Sequence, residues 1–213
     1  MRRILSALIL LLPYCAFGQA KTDEYAVYSS YFRVFNERGG KHTFAVKVSA
    51  DYNNYEDVSY ISEILNDFRD YVRTRKVGSV ASPEEYSFIS TLKTDTLWLP
   101  LISELVRGIH RPHPIKNLFS KDLQVFVLPY NEYSRYYGAT NSVDIAQEWA
   151  AFHENYPDRA VLVDLSEVVS DGRRAVFYFG WRCGGLCGDG SLVMLSNDGS
   201  GWRVVTSITM WYN

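Results

Sequence analysis

Trp181-Arg182-Cys183-Gly184-Gly185-Leu186-Cys187-Gly188-Asp189-Gly190 separates two short apolar runs, Ala175 to Trp181 and Ser191 to Ser196. Both runs are rich in β-branched, aromatic and aliphatic residues and are bounded by turn signals, so each reads as a strand. The glycines between them permit backbone angles closed to other residues, so the chain can reverse there. The segment is therefore a β-hairpin, and the same reading extends outward from it. Asp171-Gly172 marks a turn before it and Asn197 to Gly201 a turn after it. Strands are expected at Ala160 to Val163, Trp202 to Val205 and Ile208 to Trp211. Strands joined by short turns pair as antiparallel neighbours, which makes this half of the chain a meander.

Upstream of Pro157 the period changes. Val27, Tyr28, Tyr31, Phe32 and Phe35 recur at spacings of three and four, predicting a helix over Asp23 to Arg38, capped by Thr22 or Asp23 and ended by Gly39-Gly40. Phe44, Val46 and Val48 predict a short strand. Glu56 to Val72 reads as a second helix. Ser82-Pro83 opens a third that runs to Leu92, with serine as cap and proline at the first helical position. Further helices are expected within Leu97 to Val106, starting at Pro100, and over Val143 to Asn155, with a loop at Gly108 to Pro114 and a strand at Leu123 to Leu128. Helices first and strands last define an α+β class, with N-terminal helices packed on one face of a C-terminal antiparallel meander. A cone-like curved sheet is one version of it.

The N-terminus reads differently from the rest. Arg2 and Arg3 precede an apolar run from Ile4 to Leu12, then Pro13 and the small residues of Ala16-Phe17-Gly18. That order is a secretory signal peptide over residues 1–18, too short in its apolar part to span a bilayer. Lipoprotein anchoring at Cys15 is not expected, because bulky Tyr14 stands where a small residue should. Residues 19–213 are then expected as one α+β domain, periplasmic or secreted, with no membrane span. Removing Arg2 and Arg3 takes the net charge from −2 to −4. That balance argues against nucleic acid as a partner, which calls for a basic excess or stripe.

Removing Cys15 leaves Cys183 and Cys187. An oxidising compartment favours a disulfide between them, and a loop this short gains only about 2 kcal/mol from it in the chain-entropy model. Three other readings compete. A metal site needs more ligands than two cysteines. A catalytic cysteine needs a base, with only His42, His110, His113 and His153 in the chain. A phosphate cradle needs a helix after the glycine loop, where a strand is expected.

With Leu192-Val-Met-Leu195, Gly201-Trp202-Arg-Val-Val205 and Trp211, the Cys-Gly-Gly-Leu-Cys-Gly-Asp-Gly segment resembles the C-terminal signature of a family of uncharacterised exported bacterial proteins. Trp149, Phe152, Tyr156-Pro157, the strand at Ala175 to Phe179 and Tyr25-Ala-Val-Tyr28 are similar to earlier parts of that family. The resemblance covers about the last 70 residues well. It implies export and the hairpin, and no catalytic residues.

Other constellations are sparse. His110-Arg-Pro-His113-Pro would set two histidines on one helix face, but its prolines disfavour a helix, so both are read as surface histidines. His153-Glu154 lacks the second histidine of a zinc motif. No metal site or cofactor is expected. There is no Gly-x-Ser-x-Gly elbow and no Walker loop. The chain has 16 tyrosines, and Tyr130, Tyr133, Arg135, Tyr136 and Tyr137 cluster in a polar stretch. That cluster reads either as a loop packed on the sheet or as a contact surface for a glycan or a peptide or protein ligand, extended by Tyr52 and Tyr55. The expectation is a non-catalytic exported binding or interaction module. The alternative is a hydrolase with a carboxylate cleft, using Glu148, Glu154 or Asp189.

Overall fold

The computed structural model describes residues 23–50, 82–109, 111, 113–129, 131–132, 145–156 and 159–212. The expected signal peptide with Cys15, the expected helix at Glu56 to Val72, His110, Tyr52, Tyr55 and the whole cluster Tyr130, Tyr133, Arg135, Tyr136 and Tyr137 lie outside the described residues.

Helix α1 spans Glu24–Gly39. The Asp23 carboxylate caps it by accepting from the backbone N–H groups of Tyr25 and Ala26, and Gly40 ends it at φ +88°. The stripe Val27, Tyr28, Tyr31 and Phe32 is buried. Helix α2, Pro83–Thr94, opens on a complete capping box: Ser82 accepts from the Glu85 N–H, and the Glu85 carboxylate accepts from the Ser82 N–H at 2.7 Å. Helix α3 is Trp98–Gly108 and α4 is Ile145–Asn155.

The strands are β1 (Thr43–Lys47), β2 (Ser49–Ala50), β3 (His113–Pro114), β4 (Gln124–Leu128), β5 (Ala160–Leu165), β6 (Val169–Ser170), β7 (Arg174–Gly184), β8 (Cys187–Asn197) and β9 (Trp202–Tyr212). Among the described residues they form an open seven-stranded mixed sheet of order β4-β1-β5-β7-β8-β9, with β6 beside β7, and a two-stranded β2–β3 sheet. Four helices and this sheet make the chain α+β, with helices dominating its first half and strands its second. The expected meander is present as β5, β7, β8 and β9, each antiparallel to the next. The difference lies at β1, which runs parallel to both β4 and β5. Residue alternation carries no strand direction. The local sign is that Thr43, Phe44, Ala45 and Val46 are all buried, as in a strand covered on both faces. The two segments expected after Gly201 are one continuous strand, β9, whose register shifts twice against β8.

Helices cover both faces of the sheet rather than one. Phe44, Val46, Val161, Val163, Phe177, Phe179, Val193 and Leu195 meet Tyr28, Tyr31 and Phe32 of α1. The residues between them point the other way. Val176, Tyr178, Leu192, Met194 and Ile208 pack on Phe88, Leu92, Ile102 and Leu105 of α2 and α3, while Ala45, Ala160 and Leu162 pack on Trp149 and Phe152 of α4. The run Ala175 to Phe179 is apolar at both parities, so neither side of β7 could face water cheaply. No described helix is long and apolar enough to cross a membrane.

Candidate functional site

Only Gly185 and Leu186 form the turn between β7 and β8. Cys183 and Cys187 are bridged across it, with Cα atoms 5.3 Å apart. Gly188 and Gly190 lie inside β8, and their role is not to turn the chain. Gly190 pairs with Gly180 and Gly188 with Arg182, all on the face that carries Tyr178 and Leu192. A Cβ at Gly188 would overlap the Trp181 carbonyl and come within 3.0 Å of Arg182 Cγ. One at Gly190 would overlap the Trp211 indole, and one at Gly180 would come 2.8 Å from Tyr178 Oη. The three glycines thus form a floor over which neighbouring side chains lie flat.

Those side chains form one array. Trp211 Nε1 donates to Tyr178 Oη at 2.8 Å. Arg182 Cζ stands 4.7 Å from the centroid of the Trp211 ring, a cation–π contact. Arg182 Nη1 donates to Asp164 Oδ2 at 3.2 Å, with both side chains 13% exposed. Removing two charges from water is costly and needs good geometry to offset it, so such a pair specifies an arrangement more than it stabilises the fold.

A second place has the room to receive a ligand. Asp23, Glu24 and Tyr25 at the start of α1, His113 and Pro114 of β3, Lys116 and Leu118 beyond it, and Glu167 between β5 and β6 line a cleft of about 460 Å³. His113 Nε2 lies 3.2 Å from Glu24 Oε2. Tyr25 Oη accepts from the Lys116 N–H at 2.7 Å, which leaves the phenol proton free to donate; burial raises the phenol above its ordinary value. The loop carrying Glu167 is pinned at Ser166. There Tyr28 Oη donates to the Ser166 carbonyl at 2.5 Å, and Ser166 Oγ accepts from the Tyr178 N–H at 2.8 Å. Leu118, 62% exposed, forms an apolar lip. On its other side Glu167 borders a smaller cavity of about 260 Å³ that reaches Glu104 and Arg111. The cleft offers carboxylates, a phenol donor, one ammonium and an imidazole beside an apolar edge, a set suited to orienting a polar ligand.

His113 is therefore not the surface histidine that its proline-rich surroundings suggested; a two-strand ladder with Ala50 places it against α1. Asp189, in β8, is half-buried. Its carboxylate accepts from Ser191 Oγ at 3.3 Å and from Trp181, and burial raises its pKa. Glu148 and Glu154 lie on α4, across the sheet from Asp189, whose partner Trp181 packs on the α1 side. The fold does not bring these three carboxylates together. His153 Nε2 lies 3.4 Å from the Cys183 carbonyl oxygen, and His42 accompanies Asn36 beside Phe35. Among the described residues, no three His, Cys, Asp or Glu side chains are grouped as metal ligands. No family model, curated protein or solved structure matches the chain.

Proposed function

We propose that the mature protein is an exported, non-catalytic binding module for a peptide or glycan, and that the cleft at the start of α1 receives the ligand. The observation that carries this reading is the cleft itself: about 460 Å³, with polar groups from three separate stretches of chain turned toward one space and Leu118 at its edge. The basic and apolar order of residues 2–12 supports export, as does the resemblance of the Cys183 to Gly190 segment to exported bacterial proteins. The test is a binding screen of peptides and oligosaccharides against the mature chain. Glu167→Gln and Leu118→Ala should each weaken a hit about tenfold with the fold intact. Equal affinity in both variants would place the ligand elsewhere.

The hydrolase reading draws support from one observation, the half-buried Asp189 carboxyl whose ionisation burial disfavours. Its test is a hydrolysis screen comparing the wild type with Asp189→Asn. Turnover by the wild type that this substitution abolishes would favour it over binding.

A further inference from the structure

Glu167 is a wall that two cavities share. On one side lies the cleft of about 460 Å³ at the start of α1, on the other the cavity of about 260 Å³ against α3. The backbone beneath it is fixed. The Ser166 N–H donates to the Tyr178 carbonyl at 3.2 Å, and Ser166 Oγ donates to the Glu167 carbonyl at 2.9 Å. These add to the two bonds from Tyr28 and Tyr178 that already pin Ser166. The charges around the two spaces are unequal. Asp23, Glu24, Glu104 and Glu167 stand against Lys116 and Arg111, with His113 beside them. Asp23 is engaged in capping α1, and Glu24 lies against His113. Glu104 and Glu167 both border the smaller cavity, and among the described residues neither carboxylate has a hydrogen-bond or ion-pair partner. Leu101 and Leu105 of α3, with Val168 and Val169 opposite, give that cavity apolar walls. Carboxylates over a low-dielectric wall concentrate a field that favours a cation. Apolar walls under charged groups suit a long aliphatic stem with a cationic head, the shape of lysine and arginine. The larger cleft offers a complementary group. Tyr25 is 8% exposed, and its hydroxyl, having accepted from the Lys116 N–H, keeps its proton for an acceptor such as a peptide carbonyl.

Resting on the reading of the cleft as a binding site, we propose that its ligand is a peptide carrying a basic side chain, lysine or arginine, laid across Glu167. The peptide backbone lies in the larger cleft, with a carbonyl accepting from Tyr25 Oη. The basic side chain enters the smaller cavity, its stem along Leu101 and Leu105 and its head between Glu104 and Glu167. Arg111 balances one of the two carboxylates there, which leaves one negative charge for one cationic side chain. A neutral sugar in the same place would take Glu104 and Glu167 out of water without a counter-charge, a penalty that a cation removes. An acidic side chain would add to it. The ridge at Ser166 and Glu167 is held before any ligand arrives, so binding does not have to order it.

The test uses the folded full-length mature protein and isothermal titration calorimetry. The probes are N-acetylated, C-amidated alanine pentapeptides whose central residue is lysine, arginine, norleucine or glutamate, together with a neutral N-acetylglucosamine oligomer and its deacetylated form. The lysine and arginine peptides should bind about tenfold tighter than the norleucine peptide, as expected of one charge-assisted pair, and the glutamate peptide should bind weakest. Glu104→Gln, an exposed change that leaves the fold intact, should bring the lysine peptide toward the norleucine value and leave the norleucine value in place. Equal affinity for the lysine and norleucine peptides overturns the assignment, and so does a lysine preference that survives Glu104→Gln combined with Glu167→Gln. Tighter binding of either sugar oligomer than of the lysine peptide overturns it as well. In each of these cases a loss of affinity in Leu118→Ala keeps the cleft as the binding site, so the two failures are told apart. If no probe binds, or none responds to Glu167→Gln and Leu118→Ala, the assignment falls together with the reading of the cleft.

Discussion

Arg182 lies on the face of Trp211, 4.7 Å from ring centroid to guanidinium carbon, and joins β7 to β9 across a strand whose two intervening positions are glycines. The contact exists only because Gly188 and Gly190 have no side chains there.

Gly190→Ala should therefore be costly although alanine is the smallest change available. Its methyl would overlap the Trp211 indole and crowd Tyr178 Oη. Overpacking of this kind costs about 1–3 kcal/mol. Urea unfolding should show that loss, and Trp211→Ala in the same chain should recover part of it.

The Asp164–Arg182 pair predicts a non-additive pattern. Removing either partner takes the counter-charge from a mostly buried group, which should cost more than the ~1 kcal/mol of a surface pair. Replacing both, as Asp164→Leu with Arg182→Met, should cost clearly less than the sum of the two single changes. Chemical denaturation of the four proteins measures the difference, and strict additivity would show that the pair is not coupled.

Asp189 predicts a pH dependence of stability. Its folded pKa is raised, first by burial, so between its ordinary and its raised value the native state holds more protons than the unfolded one. Stability then falls as pH rises through that window and stays lower above it. Asp189→Asn should remove this acid-range slope and stabilise the protein at neutral pH. A mutant profile with the same slope would assign the effect to other groups.

The α2 cap gives a simpler expectation. Ser82→Ala removes the acceptor for the Glu85 N–H and the capping box with it. A loss of about 1 kcal/mol in thermal unfolding is expected, and Ser82→Asp should retain most of the stability.

Local signals in the sequence were good guides where the structure obeys local rules. Asp23, Gly40, Ser82 and Pro83 sit at the helix ends that their chemistry favours. The hairpin of β7 and β8 forms where its flanking apolar runs place it, although neither Gly185 nor Leu186 of its turn takes a positive φ. Long-range arrangement was hidden for physical reasons. Parallel pairing of β1 depends on helical crossovers, and alternation looks the same in either direction. Gly188 and Gly190 read as turn residues because a sequence shows missing side chains but not the indole and guanidinium that occupy the space. The cleft draws on stretches far apart in the chain, and His113 meets Glu24 only after β2 and β3 pair. No spacing rule could have joined them.

The two register shifts in β9 bear on how the molecule behaves when crowded. Among the described residues β9 closes one side of the sheet, and it is eleven residues long. A regular strand of that length would offer a neighbouring chain an even row of donors and acceptors. Interrupting the spacing near Val205 and Met210 breaks that row into short unequal pieces and twists it. An incoming strand would find no stretch long enough to zip along, so the irregular edge protects the sheet from growing by self-addition.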